Sequence, residues 1–229
     1  MAAQIRIISS MATRQLLADL VAQFQRGSTH RVSVESVGGV DAAKRVQAGE
    51  AFDAVVLAAN AIEQLIEAGK VVAGSRADLV KSGVAIAVQS GAPRPDIGSE
   101  EAVKRAVLAA RSLSYSTGPS GVQLAKLFER WGIADAIQGR IVQAPPGTPV
   151  GSLVAKGEVE LGFQQLSELM PLSGIDVLGP LPPAIQIITT FSAGLSVTST
   201  QPATVRALLD FMVSPATAEI KRSNGMEPA

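Results

Sequence analysis

The chain has 229 residues, with 20 basic and 20 acidic side chains, 47% hydrophobic and only 17% charged residues, so a well-filled core is expected and disorder is not. Balanced charge without a basic stripe argues against a nucleic-acid partner. The absence of cysteine excludes disulfides, zinc–thiolate sites and a cysteine nucleophile, and the single histidine, His30, speaks against a histidine metal site or a Ser-His-Asp triad.

Residues 4–8 read as a buried strand. Ser9-Ser10 then precedes a helix with Leu16, Leu17, Leu20, Val21 and Phe24 at helical spacing, stopped by Gly27. Residues 31–36 alternate as a strand does, and Gly38-Gly39 leads to a short helix near Asp41 that ends at Gly49. A third strand covers 53–57 and a third helix 60–68. This βαβαβα order implies a parallel sheet.

Residues 83–89 are the next strand, 91–98 a loop, and Ser99 caps a helix with Glu100 and Glu101 in its first turn. Strand 112–115, helix 119–131, strand 140–143, helix 149–156, strand 159–164 and a short helix from 166 follow. Pro180-Leu181-Pro182-Pro183 then separates this second α/β unit from a β-rich segment, Ile185 to Thr198. Helices at 204–212 and 216–222 close the chain. The expected fold class is α/β with two Rossmann-like lobes: residues 1–84 plus 190–229 form lobe I, 85–189 form lobe II, and the hinge lies near 84–86 and 186–194. No apolar run reaches the ~20 residues of a membrane span, so no direct membrane insertion is expected.

Ligands of open parallel sheets bind beyond the carboxyl ends of strands. Ser9, Ser10, Met11, Ala12 and Thr13 follow the first strand, and Gly38, Gly39 and Val40 the second, where two glycines permit close backbone approach. The most informative loop is Ser114-Tyr115-Ser116-Thr117-Gly118-Pro119-Ser120-Gly121, where hydroxyls and a helix N-terminus converge, a combination that suits an anion. Thr148 reads as a helix N-cap or a contact, with Pro149 at the first helical position of the run Pro145-Pro146-Gly147-Thr148-Pro149. Gln165, in the polar pair Gln164-Gln165 at a strand end, offers an amide to a carboxylate. Asp53, Asp96 and Glu160 read as turn or surface charges, His30 as a loop residue and Trp131 as core. The ligand-binding candidates are thus Ser9, Ser10, Met11, Ala12, Thr13, Gly38, Gly39, Val40, Ser116, Thr117, Ser120, Thr148 and Gln165, with no metal and no cofactor.

Several stretches, in their order, resemble the type II periplasmic solute-binding proteins, in the molybdate-binding-like branch: Val34–Gly39, Val46–Glu50, Phe52–Ala59, Leu65–Gly69, Gly118–Gly121 leading to Trp131-Gly132, Gly157–Phe163 and Ile220–Gly225. The resemblance implies two α/β lobes joined by a β hinge, a ligand clamped between them by hinge closure, and a transporter's membrane component as partner. It also exposes departures. Ala12 and Val40 stand where molybdate binders place oxyanion-holding serines, and Gln165 where they have a tyrosine, while Ser120 aligns with a backbone N–H contact. Losing three hydroxyls, at about 1 kcal/mol or more each, disfavours molybdate. A di- or tricarboxylate is expected instead.

The branch is also similar to aconitate isomerase, which moves a proton and a double bond in a tricarboxylate. That gives an enzyme alternative whose base would be a carboxylate near the loops, Asp41 or Glu168. A third reading, the sensing module of a regulator, lacks a helix-turn-helix before residue 4. Met1-Ala2-Ala3 runs almost directly into the first strand, so a cytoplasmic location is expected if the chain is full length, and a periplasmic one if a leader was removed.

Overall fold

The computed structural model describes residues 2–145 and 147–229. Two compact units divide the chain: one runs to Ser82 and resumes at Thr190, the other is Gly83–Thr189. In chain order the elements are β1 (Gln4–Ser10), α1 (Arg14–Arg26), β2 (Arg31–Val37), α2 (Gly39–Gln47), β3 (Ala54–Ala58), α3 (Ala59–Glu67), β4 (Ala77–Gln89), α4 (Glu100–Ala109), β5 (Leu113–Tyr115) and α5 (Pro119–Arg130). They continue with α6 (Ala134–Ile137), α7 (Val150–Ala155), β6 (Leu161–Gln165), α8 (Leu166–Leu169), β7 (Ile175–Pro180), β8 (Ile188–Leu195), α9 (Pro202–Val213), α10 (Ala218–Ser223) and β9 (Met226–Pro228).

In the first unit β1 pairs in parallel with β2 and β3, and β8 runs antiparallel to β3. Strand alternation sorts side chains into two cores, because successive residues face opposite sides of a sheet. Ile5 and Ile7 of β1, with Ala54 and Val56 of β3, meet Leu16, Leu17 and Leu20 of α1 and Val205 and Leu208 of α9. Ile8, Val55 and Leu57 face the other way, onto Ala42 and Val46 of α2 and Ile62 and Leu65 of α3. Helices therefore cover both faces, and the parallel strands deliver their carboxyl ends to one edge. The first half of β4 pairs with β9.

In the second unit β6 runs parallel to β5 and antiparallel to β4, which also carries β7. Val84, Ile86 and Val88 of β4 and Phe163 of β6 pack on Val103, Val107, Leu124 and Phe128. The Phe128 ring meets Tyr115 and Phe163 edge-on at 5.8 and 6.1 Å, the tilted geometry that aromatic quadrupoles favour. On the opposite face Ala85, Ala87 and Leu169 pack with Ile175 and Val177. Ser99 caps α4 as expected, accepting the Ala102 N–H at 3.2 Å.

Four expectations are corrected. The segment 140–143 is not a strand but a single bridge from Ile141 to Leu113, preceded by a 3-10 turn at Gln138–Arg140. Arg140 there donates to the carbonyls of Leu108, Ala110 and Ala136, anchoring the segment by its side chain. The β-rich run starts only at Ile188, because Pro183–Ile185 form a 3-10 turn; Gln186 Oε1 accepts the Ile187 amide and shares the Val84 amide with the Ile187 carbonyl. Strands β7 and β9 have no counterpart in the sequence pattern. Trp131 is not fully in the core. It caps α5 half-buried, and its indole N–H donates to Glu100 at 2.6 Å.

Candidate functional site

At the carboxyl edge of the first unit, the neighbouring serines of β1 part company. Ser9 is fully buried and its hydroxyl pairs with that of Ser36 on β2 at 2.8 Å. Ser10 turns the other way, accepting the Ala12 N–H at 3.3 Å and capping the 3-10 turn Met11–Thr13. Thr13 is also fully buried, and its hydroxyl donates to the Ser10 carbonyl at 3.0 Å. The Ser9 and Thr13 hydroxyls thus both have partners inside the fold. Ala12 is buried and Met11 half-buried.

Gly39 lies directly over Ser10. A Cβ placed on it falls 3.6 Å from Ser10 Oγ and 4.0 Å from Leu57. Gly39 opens α2, and Gly38 before it provides no side-chain cap. The first bond of that helix runs from Ala42 N–H to Gly38 C=O at 2.9 Å, so the amides of Gly39, Val40 and Asp41 have no partner within the helix. Asp41 does not cap the turn, and its exposed carboxylate folds back towards Gly38. Val40 is 49% exposed, an apolar side chain standing at the rim of this polar junction. A third junction escaped sequence reading: Ala58 ends β3 and passes straight into α3 with no side-chain cap. No glycine or hydroxyl marks it, and only the rule that ligands gather at strand carboxyl ends points to it.

In the second unit, β5 ends in the Ser116–Gly118 loop and α5 begins at Pro119 without a side-chain cap. The Ser116 and Ser120 hydroxyls lie 3.2 Å apart, and Thr117 is exposed. Gly121 is required by close approach: a Cβ there would fall 1.6 Å from the Ser116 carbonyl oxygen. Ser114 is fully buried, away from this loop's exposed end. Thr148 is half-buried and, against expectation, does not cap α7; the cap position is Pro149, and the Thr148 amide donates to Pro145 C=O at 3.0 Å. Pro146 of this run lies outside the described residues.

Gln165 ends β6 and is 3% exposed. Its Nε2 lies 3.0 Å from the Thr189 hydroxyl, and its Oε1 is buried with no hydrogen-bond partner among the described residues. A half-turn of the amide exchanges the two atoms. Thr189 then donates, and the Gln165 NH₂ is left to give to a carboxylate. Gln164 points to the opposite face: its Oε1 accepts the Gly151 N–H at 3.1 Å, and its Nε2 donates to Glu168 at 2.9 Å. Burial pushes the Glu168 carboxyl up to about 7, and the Gln164 amide pulls weakly the other way.

The remaining charges expected to be incidental hold the frame. Asp53 accepts from Arg6 N–H and Ser199, Asp96 from the Gly98 amide, and Glu160 pairs with Arg111. His30 accepts the Ala3 amide at Nδ1. Among the described residues no cluster of three metal-binding side chains occurs, and no helix is long and apolar enough to cross a membrane.

The profile of the bacterial extracellular solute-binding proteins matches residues 5–227, nearly the whole chain. The chain belongs to this family. It is 38% identical over 185 residues to an aconitate isomerase of Pseudomonas sp, covering 80% of this chain and 70% of that one. Among solved structures, the periplasmic molybdate-binding protein of Azotobacter vinelandii is similar with a TM-score of 0.80 at 20% identity, over 97% of this chain and 98% of that one. The binding protein AgtB from A. tumefacien R10, solved with agropinic acid, has a TM-score of 0.72 at 11% identity, over 100% of this chain and 83% of that one. The fold is the type II periplasmic-binding-protein fold, as the sequence resemblance implied.

Proposed function

We propose that the protein binds a small organic di- or tricarboxylate through uncharged donors. The observation that carries this reading is the rim of the first junction. Ser10 faces α2, the α2 amides lie beside it, and the exposed Val40 stands where the family resemblance puts an oxyanion-holding serine. A carboxylate takes two or three donors at one end of a carbon skeleton, which in turn tolerates an apolar neighbour. A tetrahedral oxyanion needs donors on all sides. The aconitate isomerase relative and the agropinic-acid complex of AgtB support the same chemical class. In this reading the solute is passed to a transporter's membrane component. The family resemblance expects both lobes to touch one solute, so variants in either unit, Ser10→Ala or Gln165→Ala, weaken binding.

Titration calorimetry with trans-aconitate, citrate and molybdate tests the reading. Carboxylate binding with no molybdate response is expected. Sub-micromolar molybdate binding without any carboxylate response overturns it. Adding hydroxyls in the double variant Ala12→Ser, Val40→Ser is expected to raise molybdate affinity about thirtyfold, since each new donor is worth about 1 kcal/mol.

A second reading, isomerisation of the bound tricarboxylate, is favoured by the 38% identity to aconitate isomerase and by Glu168, whose carboxyl changes charge in the range a general base needs. Proton NMR of trans-aconitate incubated with the protein is expected to show cis-aconitate accumulating in proportion to protein concentration. Unchanged spectra across that range remove this reading and leave the binder.

A further inference from the structure

We infer that the second unit carries a binding site for a small monocarboxylate with an apolar body, in a cavity between α5 and the segment Ala184–Ile187. Helix α5 sorts its side chains by flank, because residues three and four apart share one face of a helix. Gln123, Lys126, Leu127 and Arg130 line a cavity on one flank, and Ala125, Phe128 and Glu129 stand on the other. Ala184–Ile187 form the opposite wall of the first cavity, whose volume is about 270 Å³. That is just below the range of about 300–1,000 Å³ for small-molecule pockets, so the occupant is small.

The lining fixes the chemistry. Its apolar part is Leu127 and Ile185, both buried, with the half-buried Ile187. Its charged part is two cations and no carboxylate. Arg130 is already answered: its Nη2 donates to Glu100 at 2.6 Å, and the Trp131 indole and Arg130 together hold that carboxyl below the usual range. Lys126 has no ion pair and no side-chain hydrogen bond among the described residues, and Glu129, three residues on, lies on the other flank. Gln186 has only its NH₂ to offer. Its Oε1 accepts from the amides of Val84 at 3.1 Å and Ile187 at 2.8 Å, which fixes the orientation of the group, and Nε2 reaches only the Leu181 carbonyl, at 3.4 Å. One unanswered ammonium and one amide donor beside an apolar surface match a single carboxylate on a hydrocarbon body. A tricarboxylate or a phosphate brings further charge that this lining does not answer and leaves the apolar part uncovered.

Nitrogen-15 NMR of the whole protein titrated with hexanoate tests the site. The expected result is a saturable set of amide shifts on the two walls, residues 123–130 and 184–187, with a Kd on the order of 1 mM or below. Hexanol, which lacks the charge, and hexylammonium, which reverses it, bind about tenfold more weakly or worse. Lys126→Glu, at an exposed position that leaves the fold intact, lowers hexanoate affinity by at least about tenfold. Glu129→Gln, on the other flank, leaves it unchanged. Saturating trans-aconitate does not displace hexanoate from these walls, so the site stands whether or not the carboxylate reading above holds. Absence of shifts on the two walls overturns the inference, as does hexanoate binding there that survives Lys126→Glu or is matched by hexanol. Hexanoate shifts centred on Ser10 and Gln165 alone also overturn it, while favouring the carboxylate reading.

Discussion

Gly121→Ala is expected to destabilise the protein by about 2 kcal/mol and to weaken solute binding at least tenfold. The added methyl meets the Ser116 carbonyl at 1.6 Å, and that obstacle is backbone, not the swinging end of a side chain. Either the Ser116–Gly118 loop or the first turn of α5 must move, and overpacking of this kind typically costs about 1–3 kcal/mol. Movement separates Ser116 from Ser120 and turns the first amides of α5 away from their present direction. Thermal unfolding and calorimetry with trans-aconitate measure the two effects. Alanine at Gly118, where a Cβ approaches only Ser116 Oγ at 3.8 Å, serves as the control with little effect on stability. A Gly121→Ala protein with unchanged melting temperature and affinity contradicts the close approach.

Glu168→Gln is expected to stabilise the protein by about 3 kcal/mol at pH 8 and by almost nothing at pH 4.5. The folded chain holds this carboxyl at about 7, above its ordinary value of 4.5. Between those values the folded state binds more protons than the unfolded one, so stability falls as pH rises through that window and levels off above it. The amide imitates the protonated acid and keeps the Gln164 contact, so the variant loses this dependence. At about 2–4 °C per kcal/mol for a chain of this size, the melting temperature rises by about 6–12 °C at pH 8. Equal shifts at both pH values place the cause in packing instead of charge.

The parallel strands and their carboxyl-end loops were legible because hydrophobic periodicity and glycine stops mark them strongly: β1, β2 and β3 and the helices after them fall within a residue or two of expectation. The Ser116–Gly121 loop was legible for a related reason. Its glycines and hydroxyls answer a geometric demand, visible in the contact between Gly121 and the Ser116 carbonyl. What failed was the direction of individual side chains. Ser9 and Ser10 look equivalent in sequence, yet strand alternation sends one to Ser36 and the other to α2. Thr13 carries the right chemistry, but its hydroxyl returns to the backbone three residues before it. Ile175–Pro180 hid as a strand because it holds a glycine and ends in proline, and because it takes its shape from pairing with β4. The sequence marks Glu168 only as one of two carboxylates near the loops, beside Asp41, and not as a group of altered acidity. Its altered acidity comes from burial, which only the folded chain supplies, on a short turn whose Leu166 and Leu169 pack over distant residues, Ala85, Ala87, Ile175 and Val177.

Trp131 is the chain's one tryptophan, and it ends the helix whose other end carries Ser120 and Gly121. Indole emission from the native molecule therefore arises in Gly83–Thr189 alone. Its wavelength and quenching report on the grip of Glu100 and the seating of α5 against Phe128, 5.9 Å away ring to ring. Melting of residues 1–82 and 190–229 is optically silent at that wavelength unless it drags the second unit with it, which makes one fluorophore a gauge of how cooperatively the two unfold.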